Sequence, residues 1–208
     1  MILVILSLGF LTNFLAYGNL WPFLTFLLVF LISRSTSFLF IDSTFKSTVR
    51  LLTLWIISLC FLFSGITELC INQYGSLNVV GPDATLYFDI SKNPTWDFRS
   101  YLTPNTREEI VALKEDFIPL LAWNYIYRFY NYIGIPLGRF ITSASNTLLL
   151  IWSSYIGLDI LNRLRKNYKN EKLYIYLFSL NGIYIMFGSI HVRGSFIVFS
   201  IALLIQYW

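Results

Sequence analysis

Charge is scarce in this sequence. Only 12% of its 208 residues are Asp, Glu, Lys or Arg, against about 25% in soluble domains. The chain is 56% apolar and 19% aromatic, with a mean hydropathy of +0.63. A soluble fold of this size has too little interior for that much apolar surface, so the class is a polytopic membrane protein. Histidine is nearly absent: His191 stands alone, which excludes a metal site built on several histidines. Cysteine is limited to Cys60 and Cys70, in or beside one apolar run. In a helix they would sit about 15 Å apart, too far for a disulfide, and they read as packing residues. The signatures of phosphate loops, dinucleotide sites, zinc proteases and serine hydrolases are all missing. No internal repeat and no low-complexity linker divides the chain, so residues 1–208 form a single membrane domain.

What is abundant is long apolar runs. Residues 1–17 lack a basic leader and a small-x-small cleavage pattern, so they read as a retained span. Gly18-Asn19 marks a turn, and residues 20–33 form the next span, with Trp21 and Pro22 at its start. Arg34, Lys46 and Arg50 oppose a single acid, Asp42, across the following loop, a basic bias that marks the cytoplasmic side. Residues 51–71 are the clearest span, and Glu68 lies near its far end, within reach of headgroups or water. Residues 72–116 are the one long polar segment, with seven acids against four bases. An acid-rich loop lacks the cytoplasmic signature and is placed outside. Near its end, Thr106 and Glu109 fit a capping box that opens a helix.

Residues 117–135 carry Asn124, Arg128 and Asn131 on one stripe, and four tyrosines and a tryptophan around it. Such aromatics suit the membrane–water boundary. A full crossing here would put Arg163, Arg165, Lys166, Lys169 and Lys172 outside, against the positive-inside rule, so this helix is expected to be interfacial or re-entrant. Spans at 137–161, 173–190 and 194–208 follow. The expected fold is all-α, with about six transmembrane helices, one outer interfacial helix and a long extracytoplasmic loop, lying in the cytoplasmic membrane with the N-terminus inside. The last run is short for a span, so the chain is expected to be a partial copy of something longer. The basic 163–172 loop is topological, as is Asp159, and nucleic acid is not an expected partner.

Two acids stand out in the polar segment. Asp83 and Asp89 flank Tyr87, directly after Gly81-Pro82. If a helix opens there, Pro82 suits its first position, Asp83 favours its dipole and Tyr87 shares the face of Asp83. A carboxylate at a membrane mouth serves as a general base, joins a phosphate on a divalent metal, or is simply solvated. The spacing of six matches no strict metal motif, so no metal or other cofactor is assigned. Arg193, beside His191 between two apolar runs, offers a guanidinium fork for phosphate, or else snorkels to headgroups. Arg128 is a second anion contact or a headgroup anchor.

Taken in order, these pieces resemble the polytopic bacterial envelope-glycan enzymes: GT-C-type glycosyltransferases and the related oligosaccharide repeat-unit polymerases. Gly81-Pro82-Asp83-Ala84-Thr85-Leu86-Tyr87 is similar to a Gly-Asp-Ala-x-x-Tyr stretch of their early outer loops, with a proline inserted. His191-Val192-Arg193-Gly194-Ser195 is similar to a later Leu-Arg-Asp-like hairpin, with glycine in place of the acid. The resemblance spans residues 50–205 but rests on short motifs. It implies an enzyme of cell-envelope polysaccharide biosynthesis that transfers or polymerises sugars from a polyprenyl-phosphate-linked donor at the outer face of the membrane. Asp83 would take the proton from the acceptor hydroxyl. Arg193 and Arg128 would stabilise the leaving phosphate, and Tyr87, Asp89 and His191 would line the substrate site. The alternative is a non-catalytic accessory or transport subunit of such a system, in which Asp83 and Arg193 tolerate substitution.

Overall fold

The computed structural model describes residues 1–41, 46–93, 107–164, 186, 188 and 194–207. Among them every regular element is helical. The helices are α1 (Ile2–Tyr17), α2 (Trp21–Thr36), α3 (Lys46–Tyr74), α4 (Ser76–Val79), α5 (Gly81–Lys92), α6 (Arg107–Tyr132), α7 (Arg139–Leu164) and α8 (Gly194–Tyr207).

Local chemistry explains the boundaries. Helix α1 stops at Gly18, whose φ of 67° is left-handed and whose N–H closes on the Phe14 carbonyl at 2.8 Å; glycine takes that conformation without a Cβ penalty. The Asn19 carboxamide oxygen then accepts from the Trp21 N–H at 3.0 Å, and Pro22 occupies the first turn of α2, where no N–H is missed. Helix α6 begins at Arg107, directly after Thr106, which lies outside the described residues. It runs through Pro119 at the loss of one backbone hydrogen bond.

Among the described residues, three helical stretches are long and apolar enough to cross a membrane: Trp21–Leu39 with 19 residues, Ser47–Tyr74 with 28 and Arg139–Leu161 with 23. Helices α1 and α8 are apolar but only 16 and 14 residues long. Apolar side chains point outward along α1, α2 and α8, Leu3, Leu31 and Leu204 among them. In water such a surface would aggregate; in lipid it is the solvated face. Membrane association follows. The run expected at 173–190 lies outside the described residues except for Met186 and Gly188.

Two cores organise the molecule. The first joins α2, α3 and α7 through Phe26, Leu52, Ile56, Phe61, Leu150 and Tyr155. Helix α1 lies along α3 so closely that a Cβ on Gly65 would meet the Asn13 backbone nitrogen at 2.8 Å and press into Thr12. Buried Asn13 donates to the carbonyls of Gly9 at 2.9 Å and Phe61 at 2.7 Å, tying α1 to α3. Small residues that let backbones approach, with a polar side chain bonding across, are how helices associate without a hydrophobic drive. Further polar ties are Thr53 to Tyr155, and Trp152 Nε1 to Thr36 Oγ1 at 2.9 Å. The second core is aromatic. It packs α5 against α6 and the start of α7 through Tyr87, Phe88, Trp123, Tyr127, Tyr130 and Phe140. Tyr17 and Trp21 also pack on it, so it sits where α1 ends and α2 begins. The polar segment 72–116 therefore contributes α4, α5 and the first turns of α6.

Candidate functional site

The aromatic core brings together charged, phenolic and ring groups from α1, α2, α3, α5, α6, α7 and α8. Helix α5 brings the Gly81–Tyr87 motif. Pro82 and Asp83 stand exposed in its first turn, where a carboxylate favours the positive end of the helix dipole. Tyr87, one turn on, is buried with its ring 6.5 Å from that of Trp123. Asp83 and Tyr87 therefore differ in what they can reach: the acid meets solvent and the phenol belongs to the core. Asp89 is exposed and pairs with Lys92 at 3.1 Å, and the Lys92 ammonium lies 4.6 Å from the Phe88 ring centre.

Helix α6 lies against α5. The Asn124 carboxamide donates to the carbonyls of Ser91 at 3.0 Å and Asn93 at 3.1 Å, which fixes the end of α5 to the middle of α6. Arg128 follows one turn later, on the same stripe. Its Nε and Nη2 are shielded from solvent and have no hydrogen-bond partner among the described residues. A guanidinium is always charged and carries five donors, so shielded donors without partners are an open demand for an anion or a carbonyl. Asn131, the third member of the stripe, is exposed. Arg193 and His191 lie outside the described residues.

A second charged group lies beside these. Glu68 of α3 and Arg139 at the head of α7 approach to 3.9 Å, with side chains 13% and 14% exposed. The Arg139 guanidinium stacks 4.1 Å from the Phe88 ring centre, a cation–π contact in a desolvated place. The enclosed Tyr17 hydroxyl lies beside the Glu68 carboxylate, and the Tyr17 ring meets Phe140 edge-on at 5.1 Å. On the other side, Tyr127 donates to the Gly138 carbonyl at 3.1 Å and shares a 2.7 Å hydrogen bond with Thr142. Burial pushes the Tyr127 phenol up, so it stays a neutral donor throughout the physiological range.

Sequence reasoning placed Glu68 near water or headgroups and gave Arg139 and Tyr17 no role. One signal could have linked them: Glu68 ends one apolar run, Arg139 opens another and Tyr17 closes a third, so antiparallel packing brings all three to one end. Among the described residues, no group of three His, Cys, Asp or Glu side chains comes together. The chain matches no protein-family model, no curated protein and no solved structure.

Proposed function

We propose that this protein transfers or polymerises sugars from a polyprenyl-phosphate-linked donor at the outer face of the cytoplasmic membrane. The observation that carries the reading is Arg128, whose shielded Nε and Nη2 have no hydrogen-bond partner among the described residues, on a helix packed against the one that opens with Gly81-Pro82-Asp83. A leaving phosphate is the group such donors stabilise best, because the charge that builds on it is met by dipoles already in place. Asp83 is the acceptor-side base in this reading, at the exposed mouth of α5. Arg193 is the second phosphate contact, with Tyr87, Asp89 and His191 around the sugar. The aromatic surface of α6, with exposed Tyr125, Phe129 and Tyr132, suits the lipid–water boundary along which a lipid-linked donor arrives.

A second reading is a non-catalytic accessory or transport subunit of an envelope-polysaccharide system. The exposure of Asp83 and the surface pairing of Asp89 with Lys92 favour it, since both acids are then ordinary solvated groups. One experiment separates the two. Asp83→Asn and Arg128→Gln are compared with wild type for envelope glycan at matched protein level in the membrane. Transfer predicts a loss of about 100-fold or more for Asp83→Asn, the scale of a lost general base, and a comparable loss for Arg128→Gln. Normal glycan in both variants leaves the accessory reading.

A further inference from the structure

Helix α8 begins inside the protein. Gly194 and Ser195, its first two residues, are both buried, and Ser195 is 0% exposed. Phe196 packs edge-on against Trp123 with ring centres 5.5 Å apart, which sets the head of α8 against the aromatic core. One turn on, Phe199 lies 5.8 Å from Trp152, so the helix continues along α7. Rings fix this placement, and it has an electrostatic consequence.

The first N–H groups of an α-helix have no partner within the helix. They point out of its N-terminal end, where the aligned peptide dipoles sum to about half a positive charge. At an exposed end, water meets them. Here the end is enclosed, and the first turn of α8 holds no acid. Ser195 adds to the demand. The Cα–Cβ bond of a helical residue tilts toward the N-terminus, so its hydroxyl lies on the side of the open end. That Oγ is shielded from solvent and has no hydrogen-bond partner among the described residues, whereas a buried hydroxyl ordinarily has one. The charges at the cap act in the same direction. Among the described residues, the shielded ones there are Arg128 and Arg139 against a single acid, Glu68.

Backbone N–H groups and a hydroxyl gathered at a helix head are a site for an oxyanion. A chloride would meet them at one point, whereas a phosphate presents several oxygens to donors spread around the first turn. Gly194 has no Cβ, which leaves the backbone bare to a group of that size. We propose that the buried N-terminus of α8, with the Ser195 hydroxyl, is a binding site for a phosphate group. The choice of phosphate over other oxyanions rests on the reading of a phosphate-linked substrate; the anion site itself does not. Free phosphate, a phospholipid headgroup and a polyprenyl phosphate all carry that group.

The test uses the purified full chain in detergent micelles. Inorganic phosphate, phosphatidylglycerol and a polyprenyl phosphate are titrated separately, and binding is read by native mass spectrometry and from the melting temperature. Saturable binding of at least one of them is expected, and the tightest names the source. Ser195→Ala is expected to weaken that binding about tenfold, the scale of one hydrogen bond to a charged group. Ser195→Asp puts a carboxylate where the anion sits. It is expected to melt no lower than Ser195→Ala, because the helix dipole favours it, and to bind about 100-fold more weakly than wild type. If none of the three binds saturably, the helix head holds water only and the proposal is overturned. Binding by Ser195→Ala equal to wild type also overturns it. So does a Ser195→Asp that melts well below Ser195→Ala, since the helix head then has no place for negative charge. Envelope glycan in Asp83→Asn and Arg128→Gln tests transfer separately: normal glycan in both, with binding weakened in Ser195→Ala, removes transfer and keeps the site.

Discussion

The bundle and the aromatic cap are two solutions to the same problem. Where α1, α3 and α7 run together, lipid surrounds the apolar faces, and burying one more leucine gains little. The helices are held by close approach and by hydroxyls and carboxamides that bond across. Asn13 reaches Phe61, Trp152 reaches Thr36 and Tyr155 meets Thr53. In the cap, α5 and α6 are joined by rings. Six of the nine buried apolar residues of that core are aromatic, against four of fifteen in the bundle. The aromatic groups there bring polar edges to a region that also holds Glu68, Arg139 and Arg128. Ring faces attract cations, as the Phe88 ring does Arg139 and Lys92, which aliphatic side chains do not. This is a physical reason for Arg139 and Arg128 to gather at the cap; in the bundle the buried polar groups among the described residues are neutral apart from Asp159, near the end of α7, which pairs with Arg163 at 2.7 Å.

If that division is right, the two regions break separately. The largest effect is expected from Trp123→Ala. Trp123 is fully buried, against Tyr87 on one side and Phe196 on the other, and its removal costs about 3–5 kcal/mol. Hydrogen exchange in α5 and α6 should rise by orders of magnitude while α3 and α7 keep their protection. Equal loss of protection in all four helices would show a single cooperative unit and erase the comparison.

Gly65→Ala attacks the other region. The added Cβ meets backbone, which cannot swing away, and overpacking of this kind costs about 1–3 kcal/mol. At Gly9 the first atom met is the Phe61 ring, the far end of a side chain. Gly9→Ala should therefore cost less than Gly65→Ala in denaturant unfolding from detergent micelles. The reverse order would mean that α1 and α3 can slide apart cheaply.

The bundle was more legible in the sequence than the cap, for a physical reason. Hydropathy is a local sum, and apolar runs at 20–33, 51–71 and 137–161 mark helices wherever lipid is the solvent. The sum fails where a helix continues into polar surroundings. Helix α3 begins at Lys46, because Lys and Arg are good helix formers that hydropathy scores as loop, whereas the start of α6 at Arg107 was legible in the Thr106–Glu109 pair. Gly9, Thr12 and Asn13 read as blemishes in an apolar run, yet they are the surface by which α1 meets α3. For the candidate site, Pro82 and Asp83 were legible as the first turn of a helix, and Arg128 as part of a polar stripe. Two things were not. Tyr87 turns inward because Trp123 lies against it, 36 residues later in the chain. Glu68 and Arg139 meet across 71 residues, a distance at which pattern reading holds no information.

The smallest effect in the set is also the finest probe of the cap. Tyr127→Phe removes one hydroxyl that bonds Gly138 and Thr142, and it leaves the ring against Phe88 in place. Losing a buried hydrogen bond of this kind costs about 1 kcal/mol. The pH dependence gives it a signature. Burial raises the folded-state phenol above its ordinary value of about 10. The unfolded chain therefore loses the proton first as pH rises. Below pH about 10 both states hold the proton and stability is flat; above it the unfolded state binds fewer protons and stability falls. Wild type should lose stability between pH 10 and 11 more steeply than Tyr127→Phe, with the two curves parallel below pH 9. Parallel curves throughout would mean that the phenol reaches water in the native state, and that the cap, unlike the bundle, is not closed.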